Sequence, residues 1–101
     1  MKLFIDTSDK DTVTIGIDDA RYTKDARDKK SQTLLPFVLE TLTSQNASLK
    51  DVTEIEVATG PGSFTGLRVG ATVANTLGYV LSVPVNGSNV SNNPVIPEYE
   101  K

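Results

Sequence analysis

Early in the chain a compact apolar run at residues 2–7 (KLFIDT) and a period-two alternation of apolar and polar positions at 12–17 (TVTIGI) both predict strands, the second placing Val13, Ile15 and Ile17 on one face. The polar turn Ser8-Asp9-Lys10-Asp11 joins them into an antiparallel hairpin. Residues 20–28 predict a weaker third strand, whose charges suit an exposed edge that must avoid stray pairing. The period then changes to 3.6. Ser31 or Thr33 is expected to cap a helix through Asn46, with Pro36 near its first turn, where a missing N–H matters least. A polar connection over 47–53 leads to a strand at 54–59, a turn at 60–63 (GPGS) and a long helix from about Phe64 to Leu81. Ser82-Val83-Pro84 closes that helix, and 83–85 reads as a returning parallel strand.

Both helices are apolar over more of their circumference than a single sheet needs. In the first, Leu34, Leu35, Phe37, Val38, Leu39 and Leu42 span about 200° at 100° per residue. In the second, Thr65, Arg68, Thr72, Asn75, Thr76 and Tyr79 form a narrow polar arc, and the rest is apolar or glycine over about 220°. Val69, Val73, Leu77 and Val80 make a bulky ridge there. Gly66, Gly70, Ala74 and Gly78 recur every fourth residue as a smooth strip. Each helical glycine costs about 1 kcal/mol relative to alanine, so close approach of another backbone is the expected compensation. That backbone is either the domain's own sheet or a second packing surface.

Composition narrows the chemistry. The chain has 101 residues, enough for one small domain, and 38% hydrophobic content without Trp implies an aliphatic core. A net charge of −3 carries no basic surplus for tight autonomous binding to nucleic acid. Neither Cys nor His occurs, which removes disulfides, thiolate zinc sites, His ligands and His-dependent triads. Carboxylates, hydroxyls and lysines are what remain. The N-terminal apolar run is too short for a signal peptide, and the glycine helix is interrupted by Arg68 and Asn75, so no membrane span is expected and a cytoplasmic protein is the default.

The turn at 60–63 departs from the sharper phosphate motifs. A Walker A loop needs a lysine before Ser or Thr, and none is present. The dinucleotide fingerprint fails because Thr65 stands where the third glycine belongs, and no acid lies about twenty residues on. A nucleotide-handling reading would use Asp6, Thr7 and Ser8 at a strand end, with Gly60, Gly62 and Ser63 as a phosphate cradle and Asp6 holding a metal-bound water. The plainer reading is that Asp6 caps its own turn and the glycines redirect a strand into a helix.

The order β-β-β-α-β-α-β predicts an α/β fold, a mixed five-stranded sheet with helices on its faces. This is the ribonuclease-H-like lobe found in the actin, hexokinase and Hsp70 (ASKHA) ATPases. FIDTS at 4–8, SQTLLPFVLETL at 31–42 and GPGSFTGLRVG at 60–70 resemble the TsaB (YeaZ) family, with coverage of residues 1 to about 89. The resemblance implies an N-terminal lobe over 1–89, since the family has a second lobe of similar size; after Asn89 the pattern collapses, and 90–101, with two prolines and a mixed-charge end, reads as a tail. Lys30 departs from the family, which often has His there.

The resemblance also implies a role in making threonylcarbamoyladenosine in tRNA, as a non-catalytic, cytoplasmic subunit without a cofactor of its own. Such proteins pair with the catalytic paralogue TsaD, which holds metal and nucleotide, and the TsaE ATPase joins them; tRNA is met only through the complex. By this likeness the two helices form a helical interface, used also by homodimers. Leu34, Leu35, Val38 and Leu42 on the first helix, and Gly66, Leu67, Gly70, Ala74 and Gly78 on the second, are the expected interface residues. The alternative is the nucleotide- or phosphate-binding enzyme lobe built on Asp6 and the 60–62 turn.

Overall fold

Leu3 and Ile5 alternate with Lys2, Phe4 and Asp6 along β1 (Lys2–Asp6), and only the two aliphatic side chains are fully removed from solvent. The computed structural model describes residues 1–90 and 94–96. In it the same alternation recurs in β2 (Thr12–Ile17) and β4 (Glu54–Val57). β1 pairs antiparallel with β2, setting Leu3 opposite Ile17 and Ile5 opposite Ile15. It pairs parallel with β4, setting Leu3 opposite Ile55 and Ile5 opposite Val57. Cross-strand partners share a face, so these residues with Val13 form one continuous apolar face. β3 (Ala20–Asp25) is the outer strand, and the sheet order is β3-β2-β1-β4.

The expected fifth strand is corrected to a single bridge. Val85 meets Ile55 in parallel, with the Ile55 N–H donating to the Pro84 carbonyl (2.9 Å) and the Asn86 N–H donating to the Ile55 carbonyl (2.8 Å). Asn86 (φ 50°) and Gly87 (φ 81°) then reverse the chain, and the Val85 N–H turns to the Ser88 carbonyl. The Asn86 carboxamide continues the ladder in place of backbone. Its Nδ2 donates to the Val57 carbonyl (3.1 Å) and its Oδ1 accepts from the Val57 N–H (2.8 Å). The third strand likewise ends at Asp25, before the expected Asp28.

Helix α1 (Lys30–Ser44) follows a 3-10 turn at Arg27–Lys29. Neither Ser31 nor Thr33 caps it; the cap position is Lys29, without a side-chain bond. The start lies earlier because the Lys30 side chain is drawn inward. Pro36 consequently sits in the second turn, on an exposed side where water can satisfy the Gln32 carbonyl it leaves unpaired. Helix α2 (Phe64–Leu81) matches expectation, with Ser63 Oγ accepting the Gly66 N–H (3.3 Å) and Ser82 ending it in the left-handed region (φ 56°).

Both helices pack on the same face of the sheet, rather than on two. Leu34, Val38 and Leu42 of α1 and Ala74 and Leu77 of α2 join Leu3, Ile5, Ile15, Ile55 and Val85 in one core. The opposite face is polar. There Lys2 pairs with Glu56 (2.6 Å), and the Arg21 guanidinium lies 4.6 Å from the Phe4 ring centre. Val90 is buried, so the first residue of the expected tail belongs to the core. Val95 is held by Asn75, whose amide donates to its carbonyl and accepts its N–H, both at 3.0 Å. Residues 91–93 and 97–101 of that tail lie outside the described residues.

Candidate functional site

The two turns singled out from the sequence meet. β1 runs out into Asp6-Thr7-Ser8, and the 60–63 turn lies against it, with the Ser63 N–H donating to the Ser8 carbonyl (3.0 Å). Gly60 has φ 122°, a conformation open to glycine, and the Gly60–Pro61 peptide is cis. At Gly62 the need is proximity: an added Cβ would stand 2.7 Å from both the Ser8 Cβ and its carbonyl oxygen. The loops are therefore packed on each other, with their polar groups paired locally. Asp6 Oδ1 accepts the Ser8 N–H (2.9 Å) and the Ser8 hydroxyl (2.6 Å), capping its own turn. Among the described residues no group of three or more carboxylates is placed to hold a cation.

Thr7 is fully buried and donates its hydroxyl to the Gly66 carbonyl (2.5 Å). Its own carbonyl accepts from Lys30 Nζ (3.0 Å), which also donates to the Asp9 carbonyl. Lys30 is only 6% exposed. Burial pushes its ammonium below the usual lysine pKa, and the charges of Asp9, Asp11 and Asp6 partly oppose that. It binds the end of β1 to the first turn of α1. Sequence reasoning assigned Lys30 no role, although its position in phase with Leu34 and Val38 was the available signal. Asn86 and Asn75 were missed for a different reason: a carboxamide that substitutes for backbone leaves no pattern in the chain.

The expected interface residues divide. Leu34 and Leu67 are fully buried, as are Val38 and Ala74, and Leu42 is 1% exposed. Gly66, Gly70 and Gly78 are buried as well. A Cβ at Gly66 would strike the Thr7 carbonyl and stand 2.6 Å from Lys30 Nζ; one at Gly70 would strike the Thr7 hydroxyl, and one at Gly78 the Val85 side chain. The glycine strip is therefore packing within the domain, and these eight residues are unavailable to a partner. Of the nine, Leu35 alone is exposed, at 39%.

A different seam is open on the outside. Ser31, Thr65, Arg68, Val69, Thr72 and Val73 line a hollow of about 350 Å³ between α1 and α2. By helical phase Leu35 and Leu39 stand on the α1 shoulder beside Ser31, and Val80 on the α2 shoulder beside Val73. All three are exposed. At its N-terminal end the hollow adjoins a second, which shares Ser31, Thr65 and Val69 and adds Lys10, Arg27 and Lys30. Among the described residues no helix is long and apolar enough to cross a membrane.

A model of the family described as TsaD, tRNA N6-adenosine threonylcarbamoyltransferase, matches residues 23–90. The chain is 36% identical over 67 residues to the tRNA threonylcarbamoyladenosine biosynthesis protein TsaB of Bacillus subtilis (strain 168), covering 66% of this chain and 29% of that protein. It is 33% identical over 88 residues to the TsaB protein of Buchnera aphidicola subsp. Schizaphis graminum, covering 84% and 42%. Among solved structures, YeaZ from Pseudomonas aeruginosa superposes with a TM-score of 0.72 at 30% identity, over 83% of this chain and 41% of that one. The chain thus spans 29–42% of the length of these relatives, and the fold is a ribonuclease-H-like lobe of the ASKHA type.

Proposed function

Because this chain belongs to the TsaB (YeaZ) family, within the range of the TsaD-type threonylcarbamoyltransferase model, we propose that it serves as a non-catalytic subunit in tRNA N6-threonylcarbamoyladenosine formation. Its task is to bind a TsaD-like catalytic paralogue through the outer faces of α1 and α2. A TsaE-like ATPase joins that pair, and tRNA is reached through the complex. The observation that carries this reading is the open seam: Leu35, Leu39 and Val80 are exposed on the shoulders of a hollow walled by Val69 and Val73. Aliphatic residues gathered on one face gain most when a partner removes them from water.

The enzyme-lobe reading draws less support. Asp6 and Ser8 bond to each other, and the Lys30 ammonium is held by the Thr7 and Asp9 carbonyls. The test is calorimetry of the full chain against a purified TsaD-type protein, then against ATP with magnesium. Saturable binding to the protein and none to the nucleotide is expected. Magnesium-dependent ATP turnover that disappears in Asp6→Ala would overturn the proposal.

A further inference from the structure

Asn86-Gly87 reverses the chain and at the same time closes the end of the sheet. Both residues have positive φ (50° and 81°), the combination for which tight two-residue turns select Asn-Gly. Val85 and Ser88 flank the turn as an antiparallel bridge. The Asn86 carboxamide accepts the Val57 N–H on Oδ1 (2.8 Å) and donates Nδ2 to the Val57 carbonyl (3.1 Å), where a strand residue would otherwise cover the edge of β4. Both turn residues are exposed. A Cβ at Gly87 would meet nothing within 4 Å, and among the described residues no hydrogen bond takes up the Gly87 N–H.

From this we infer that Asn86 is a site of spontaneous deamidation, gated by opening of the turn, whose product cannot close the β4 edge again. The nucleophile is the Gly87 nitrogen, which no side chain of its own residue shields. It attacks Asn86 Cγ and closes a five-membered succinimide. Its proton passes to solvent, and the bond from Cγ to the amide nitrogen breaks with loss of ammonia. Water, the one co-reactant, then adds to either ring carbonyl and opens the ring, leaving aspartate or isoaspartate. Ring closure turns Cγ back onto its own backbone, so the carboxamide must first leave Val57. Two hydrogen bonds of ordinary worth keep that open form at about a tenth of the molecules or fewer. After conversion the pair cannot be rebuilt. One carboxylate oxygen can accept the Val57 N–H, but the other faces the Val57 carbonyl, oxygen against oxygen, where Nδ2 now donates. Isoaspartate also adds a backbone atom between Val85 and Ser88. The switch therefore runs one way and uncovers the edge of β4 at Val57.

Asn46 supplies the comparison within the same chain. It shares the left-handed backbone (φ 57°) but precedes Ala47, whose side chain obstructs the attacking nitrogen. The experiment incubates the full chain in neutral buffer, with and without urea, and follows both asparagines by peptide mass spectrometry. Hydrogen exchange at the Val57 amide is then compared between fresh chain, aged chain and Asn86→Asp. In the folded chain Asn86 is expected to convert well ahead of Asn46, about tenfold or more slower than in urea. Aged chain and Asn86→Asp should both exchange the Val57 amide about tenfold faster than fresh chain. If Asn86→Asp fails to fold, the aged wild type carries the exchange measurement. Asn86 no more converted than Asn46 in the folded chain would overturn the site. Conversion as fast folded as unfolded would overturn the gate, and unchanged Val57 exchange in aged chain would overturn the one-way release.

Discussion

The inner and outer faces of α2 are built from similar residue types and have opposite fates. On the inner face Gly66, Gly70, Ala74 and Gly78 let the helix settle onto Thr7 and Val85, where an added methyl group would collide. On the outer shoulder Val69 and Val73 remain partly exposed and Val80 mostly so. Both faces are weakly polar, yet only one has met its partner within the chain. Small residues mark places where backbones have come together, whereas the bulky aliphatics at the rim stay partly in water. α1 repeats the contrast in neighbours: Leu34 is fully buried and Leu35 is 39% exposed.

That neighbouring pair offers the largest effect. Leu34→Ala should lower stability by about 2–5 kcal/mol, since it opens a cavity between the helices and the sheet. Leu35→Ala should change it by less than about 0.5 kcal/mol. Urea titrations of both variants decide; equal losses would mean that the two faces of α1 are not distinct. Next comes Gly70→Leu, which should destabilise the isolated chain by about 1–3 kcal/mol or more by overpacking against the Thr7 hydroxyl. A cooperative, wild-type-like melt would return the glycine strip to the outside.

Gly62→Val tests the loop contact that anchors α2, with an expected loss of about 1–3 kcal/mol as the side chain meets Ser8. A variant that melted like wild type but lost a bound phosphate would favour the nucleotide reading instead. Leu39→Ser should leave the melt nearly unchanged while weakening capture of a TsaD-type protein, and calorimetry with that partner reads the difference. The smallest effect concerns Asp9. Its Oδ1 accepts the Asp11 N–H (2.8 Å) and the Thr12 N–H (3.2 Å), and these bonds hold its carboxyl below the usual 3.8. A carboxyl whose pKa is depressed by folding adds stability above its unfolded value and loses it as pH falls through the folded one. Asp9→Asn should therefore be slightly less stable at neutral pH and show a shallower decline below about pH 4, measured as Tm against pH.

Much of the architecture was legible because local patterns carry it. A compact apolar run placed β1, period-two alternation placed β2 and β4, and the 3.6 period between the 60–63 turn and the Ser82-Val83-Pro84 stop placed α2 at its observed bounds. The start of α1 was not legible, because the group that decides it is a lysine side chain reaching across to the Thr7 and Asp9 carbonyls. The fifth strand was misjudged because Val83 and Val85 have strand-like character, while the Asn86-Gly87 reversal allows only one bridge. Of the nine residues expected at an interface, eight turn inward, because helical period gives the shared face and not which side of it meets the sheet.

The sequence by itself determined that both helices carry more apolar surface than one sheet covers, that the 60–63 turn must be glycine-rich, and that imidazole and thiol chemistry are absent. These follow from periodicity, backbone freedom and composition, which are properties of the chain read residue by residue. Only the tertiary structure decided which part of each apolar arc is consumed. Where a helix lands on a sheet depends on contacts between residues far apart, such as Thr7 with Gly66 and Ile55 with Val85. Helical phase says which residues share a face, and packing alone says which face is inside.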